Sequence, residues 1–128
     1  MQKKSTIETS NAPKPIGPYS QAILTHQFLF CSGQIGLDPT SGELVGKTAA
    51  EQAERAILNL RAVLRQAGLD LGDVVKVTLY LRSMDDFPQV NEVYARHFIQ
   101  LKPSRTTIGV TSLPKDSLVE IDAIAMTH

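Results

Sequence analysis

The feature that most constrains this chain is one long apolar stripe with its own start and stop. Ala49, Ala53, Ala56, Ile57, Leu60, Val63, Leu64 and Ala67 recur at three- and four-residue steps, which places them on one side of an α-helix. Thr48 precedes them with Glu51 three residues on, a T-x-x-E capping box, and Gly68 stands where a C-terminal glycine would end the helix. A helix with one apolar side must lay that side on another element. In 128 residues the available partners are short alternating runs, which are strand patterns.

Thr6 to Thr9 predicts a short first strand, and Phe28 to Ile35 a buried one. Between them, residues 11–20 carry Pro13, Pro15 and Pro18, which forbid regular helix or a central strand; a stiff loop with an aromatic, Tyr19, is a candidate functional loop. Leu37 to Leu44 has turn chemistry in Pro39 and Gly42. Val74 to Leu81 reads as a strand with Val75, Val77, Leu79 and Leu81 on one face. A second helix is predicted from about Asp86 to Phe98, capped by Ser83 or Asp85, with Pro88 tolerated in its first turn and a stripe of Phe87, Val90, Val93, Tyr94 and Phe98. Arg105 to Val110 and Val119 to Met126 read as strands on either side of a turn at Leu113 to Asp116. The order ββ-α-β-α-ββ predicts a single α+β domain over residues 1–128: a mixed sheet of about six strands with both helices on one face. The other sheet face is not uniformly polar, and self-association is the expected way to cover it.

Composition narrows the function classes. Thirteen Lys and Arg balance thirteen Asp and Glu, so there is no electrostatic footprint for nucleic acid or an anionic membrane. The hydrophobic share of 42% is that of a globular domain, and no apolar run approaches the ~20 residues needed to span a bilayer. A single cysteine, Cys31, excludes an intramolecular disulfide framework, and the first residues, Met1 to Thr6, do not form a secretory signal. A cytoplasmic domain is the expectation.

Several chemistries lack their residues. His26, His97 and His128 are scattered and Cys31 has no partner at ligand spacing, so no metal site is expected. No phosphate-binding glycine loop precedes a helix, and Ser32 lacks the G-x-S-x-G elbow of a nucleophilic serine. Gly33 to Gly36 spells the G-x-x-G of an RNA-binding loop, but without basic neighbours. Polar residues at unusual places remain. Alternation puts Arg105, Thr107 and Gly109 on one face of their strand, and Glu120 and Asp122 on one face of theirs. Were these strands neighbours, a cation and a carboxylate could flank one cavity; the same pattern also fits an ordinary surface ion pair worth about 0–1 kcal/mol.

Four blocks, Pro15-Ile16-Gly17-Pro18-Tyr19-Ser20-Gln21-Ala22, Cys31-Ser32-Gly33-Gln34-Ile35, Pro103-Ser104-Arg105-Thr106 and Leu113-Pro114-Lys115-Asp116 with the strand Val119 to Ala125, resemble the Rid (reactive intermediate deaminase, YjgF-type) family in order and spacing. The match runs from about Pro13 to Met126, and Arg105 and Glu120 fit the archetypal deaminase branch best. The resemblance implies a chorismate-mutase-like fold of the bacillar type, a homotrimer with sites between subunits, and no cofactor. It also implies hydrolysis of short-lived enamines and imines (2-aminoacrylate, 2-iminopropanoate, 2-iminobutanoate) to 2-keto acids and ammonia. Pyridoxal-phosphate dehydratases acting on serine and threonine release such intermediates.

The roles carried over have a physical sense. Arg105 would clamp the substrate carboxylate through a bidentate fork, with backbone amides near Gly33 and Thr107 completing the anion site. Glu120 would activate water, and Tyr19 would close over the substrate. Ser32 and Asn91 would add polar contacts. Thr107 stands where several members carry cysteine, and Ser104 where alanine is common; a mechanism resting on Arg105 and Glu120 survives both changes. The competing classes are a non-catalytic 2-keto-acid-binding regulator, a chaperone-like protein, and an endoribonuclease that inhibits translation. The last expects a basic face with stacking aromatics, and this chain has no net positive charge, 5% aromatic residues and no tryptophan. Glu120 separates enzyme from regulator, because binding alone needs no water-activating base.

Overall fold

The structure is a computed structural model that describes residues 3–128; Met1 and Gln2, which open the segment read above as no secretory signal, lie outside the described residues. The long stripe forms α1, Ala49–Gln66, started by the expected box: the Thr48 hydroxyl accepts the Glu51 N–H at 3.1 Å and the Glu51 carboxylate accepts the Thr48 N–H at 3.2 Å. The helix ends as its glycine requires. Gly68 takes φ +79°, and the N–H groups of Gly68 and Leu69 turn back to the carbonyls of Arg65 and Leu64.

Among the described residues six strands make one sheet, β1 Ser5–Ile7, β2 Ala22–Leu24, β3 Phe28–Ile35, β4 Val74–Leu81, β5 Ser104–Gly109 and β6 Val119–Met126, in spatial order β1-β2-β3-β6-β4-β5. All neighbouring pairs are antiparallel except β4 and β5, which run parallel because α2, Phe87–His97, crosses between them. Both helices pack with the buried residues of one sheet face. Leu29, Val77, Leu79 and Ile121 from the strands meet Ile57, Leu60, Val63, Leu64 and Val90 from the helices, all at most 1% exposed. Each such side chain contributes about 1.5–3 kcal/mol of burial.

Three sequence expectations need correction. β2 was not foreseen: three residues are too few to show alternation, and pairing with both β1 and β3 is what holds them extended. The first strand is Ser5–Ile7 rather than Thr6 to Thr9. Val75 does not share the core face of Val77; the β4–β6 register slips between Val74 and Lys76, so Val74 turns inward and Val75 is 38% exposed. A second slip, between β3 and β6, sits at Ser32 and Gly33. There Cys31 pairs with Ala123 and Gln34 with Ile121, leaving two residues opposite Asp122 alone.

Candidate active site

The proline loop is tied down at its end by Gln21, a buried polar residue at the mouth of β2. Its amide oxygen accepts the Thr9 N–H at 2.8 Å, and its amide nitrogen donates to the carbonyls of Thr9 at 3.0 Å and Pro13 at 2.9 Å. Ser32 completes the tether from β3: its hydroxyl donates to the Ser20 carbonyl at 2.6 Å. Tyr19 is thereby held at the loop's end with its ring half exposed. The sequence signals the Gln21 role only by a lone amide side chain that opens an apolar run.

Tyr19, Ser32, Gly33 and Glu120 come together around one cleft of about 340 Å³, with Ile16 and Gln34 on its walls. The β3 bulge explains the meeting. It places Gly33 against the Glu120 side chain, where a Cβ would stand 2.8 Å from the carboxyl carbon and closer still to Oε2. Glycine is required here for space. The Glu120 carboxyl is half-buried, and that loss of water, with Asp122 two residues away on the same face as a lesser cause, pushes its pKa above the usual glutamate value. Asp122 itself accepts the Tyr80 hydroxyl at 2.8 Å.

Arg105 and Thr107 lie elsewhere, and the register shows why. β4 pairs Val77 with Arg105 and Leu79 with Thr107 on one side, and Val77 with Ala123 and Tyr80 with Glu120 on the other. Val77 and Leu79 face the helices, so Arg105 and Thr107 do too, whereas Glu120 projects from the opposite face with Tyr80. A single cavity flanked by both residues of one chain is therefore not formed. Arg105 rests against α2: its guanidinium carbon lies 4.6 Å from the Tyr94 ring centre and 5.5 Å from that of Phe87. Among the described residues it has no carboxylate within 4.0 Å. Asn91 is exposed, one helical turn from both Phe87 and Tyr94, hence on the same side of α2. Among the described residues the Thr107 hydroxyl and the Tyr94 hydroxyl are buried without hydrogen-bond partners.

The chain thus presents two half-sites. One face offers a guanidinium without a carboxylate partner among the described residues, able to bind a carboxylate; the other offers a cleft with a desolvated carboxyl, able to take and return a proton. Among the described residues no group of three or more His, Cys, Asp or Glu able to hold a metal comes together, and no helix is long and apolar enough to cross a membrane.

The profile of the family described as Endoribonuclease L-PSP matches residues 9–127. A RutC family protein of Pyrococcus horikoshii is 52% identical over 95% of this chain and 97% of its own. The human protein named 2-iminobutanoate/2-iminopropanoate deaminase is 45% identical over 96% of this chain and 90% of its own. Among solved structures, E. coli TdcF with bound serine superposes with a TM-score of 0.93 at 38% identity, covering 97% of this chain and 99% of that one.

Proposed function

The chain belongs to the Rid (YjgF-type) family, the one described as Endoribonuclease L-PSP, and from that membership and the two half-sites we propose that it is a cofactor-independent hydrolytic deaminase of 2-imino acids and their enamine tautomers. The observation that carries the reading is the pair of Arg105, a cation without a counter-ion on its aromatic bed, and Glu120, a desolvated carboxyl packed on Gly33. The mammalian relatives named 2-iminobutanoate/2-iminopropanoate deaminase support the substrate class.

In this reading the site is shared. Arg105 of one chain meets Glu120 of a neighbour in a homotrimer, three times per assembly. Two facts support it: the residues leave opposite faces of the sheet, and the face away from the helices exposes Phe30 and Ile108, whose burial would drive association.

The enamine gains a proton at its terminal carbon and gives one up from its nitrogen to become the imine. Arg105 then binds the carboxylate in the plane of its guanidinium, with backbone amides near Gly33 and Thr107 as further donors. Glu120 accepts a proton from a water as that water's oxygen bonds the C=N carbon. That proton passes to nitrogen to give the carbinolamine; the carbinolamine hydroxyl then gives up its own proton, carried to nitrogen by Glu120 as the C–N bond breaks, so ammonia leaves as the carbonyl forms. A Glu120 pKa raised by burial suits a group that must both take and give a proton. Tyr19 closes the cleft, and Ser32 shapes it through the bond to Ser20. Imines hydrolyse unaided, and each further tenfold asks only ~1.4 kcal/mol, within reach of a positioned water beside a clamped substrate.

The test is coupled turnover: a pyridoxal-phosphate threonine dehydratase makes 2-aminoacrylate from serine, and pyruvate release is followed with and without this protein. Faster release that vanishes in folded, assembled Arg105→Ala and Glu120→Ala supports the reading. No acceleration by wild type across imines of several amino acids overturns it and leaves a 2-keto-acid-binding protein.

A further inference from the structure

The best-built feature outside the residues assigned so far is the aromatic bed beneath Arg105. Phe87 and Tyr94 are seven residues apart on α2, two helical turns, so both rings lie on the side that meets β5. Their centres are 5.5 Å and 4.6 Å from the guanidinium carbon, inside the ~6 Å range of a cation–π contact. The bed is fixed from below: Tyr94 is 7% exposed and stacks on Phe98 at 4.3 Å and 23°, and Phe98 is 3% exposed. An exposed arginine would ordinarily sample many rotamers, and a buried one would be given a carboxylate. This one has neither freedom nor counter-ion among the described residues.

We propose that Phe87 and Tyr94 are positioning residues for the anion site: their ring faces carry the Arg105 guanidinium, fix its plane, and present its N–H edge unpaired to a substrate carboxylate. Rings do this where a carboxylate could not. A counter-ion would hold the arginine equally well but would occupy the donors that the substrate needs, whereas a ring holds the cation by its π-face and leaves the N–H edge free. The hydroxyls of Tyr94 and Thr107 are buried without partners among the described residues, a departure from the general rule that buried polar groups are paired.

The inference rests on the deaminase reading for its substrate, and its test is built to separate the two. Phe87→Leu removes a ring at a partly buried position, Tyr94→Leu removes the other, and Phe87→Tyr restores a ring. Two readouts are taken on each folded, assembled variant: KM and kcat in the coupled pyruvate assay, and the Kd of pyruvate by calorimetry. The expected result is a KM and a pyruvate Kd each raised about 3- to 30-fold by loss of a ring, with kcat changed far less, and recovery in Phe87→Tyr. In an Arg105→Ala background the ring substitutions should change the pyruvate Kd no further, because there is no cation left to position. If wild type turns over and Arg105→Ala does not, but both leucine variants keep wild-type KM and Kd, the positioning inference is overturned and the deaminase stands. If wild type fails to turn over yet binds pyruvate more tightly than both ring variants, the deaminase falls and the positioning inference stands. A wild type that neither turns over nor binds pyruvate overturns both.

Discussion

Replacing Gly33 with alanine tests the proposed catalytic half-site with a single methyl group. A Cβ at this position would lie 2.8 Å from the Glu120 carboxyl carbon and 3.2 Å from its Cγ, against an ordinary contact of 3.4–4 Å. The backbone of β3 cannot retreat easily, because the Ser32 N–H is bonded to the Gln21 carbonyl beside it and β6 is paired on the other side. The carboxylate must therefore swing away by about 1 Å or more. Displacing a side-chain tip costs the fold little, about 0.5–1.5 kcal/mol, and the stiffer unfolded chain of an alanine variant returns part of that. The melting temperature should fall by only a few degrees. Activity should suffer far more, since a base misplaced by about 1 Å loses roughly 100-fold in rate. The assay is kcat/KM for pyruvate release, run on Gly33→Ala, Glu120→Ala and the double variant. The double variant should be no worse than Glu120→Ala, because the methyl acts only through the carboxylate. A folded Gly33→Ala protein with wild-type kcat/KM would refute the reasoning.

Three further predictions follow from the same geometry. Burial raises the Glu120 pKa, so its native carboxyl holds a proton that the unfolded chain releases; it costs stability above the raised value and less as pH falls through it towards 4.5. Glu120→Gln should therefore melt higher than wild type at mildly alkaline pH, with the gap closing on acidification, and a pH-independent gap would contradict that. Arg105→Lys keeps the charge but loses the fork, and KM should rise about 10- to 100-fold; an unchanged KM would mean that no bidentate contact is made. Asn59 is fully buried, and its amide nitrogen donates to the carbonyls of Ile35 at 3.2 Å and Leu37 at 2.8 Å, holding the chain where it leaves β3 along the cleft. Asn59→Leu should cost about 1–3 kcal/mol, read as a lower denaturation midpoint.

What could be read in advance followed the range of the signal. α1 was legible to its ends because the Thr48 box, the apolar stripe and Gly68 are all local. The stripe of α2 placed it within a residue at each end, but its expected cap was wrong, since Ser83 caps the 3-10 turn Met84–Asp86 and, among the described residues, no side chain caps α2 itself. The partner order was not legible: nothing in β6 announces that it lies between β3 and β4, since strand pairing is a long-range choice. Val75 was misplaced because a bulge resets alternation without altering composition. The site residues were singled out by family resemblance, while their distribution depended on register. Alternation correctly grouped Arg105 with Thr107 and Glu120 with Asp122, but only the β4 pairings show that the two groups face opposite ways. The roles of Gln21 and of the Phe87–Tyr94 bed are not legible in sequence, the first because it is one polar residue opening an apolar run and the second because aromatics in a helix stripe look like core.

Subunit complementation tests the central claim, a deaminase site built from Arg105 of one chain and Glu120 of another, most directly. Arg105→Ala and Glu120→Ala chains, each inactive alone, are co-refolded in equal amounts and assayed for pyruvate release. Each shared site draws its arginine and its glutamate from independently chosen chains, so about one site in four should hold both native residues, giving about a quarter of wild-type activity. Mixed assemblies that contain both chains and stay as inactive as their parents would contradict the account.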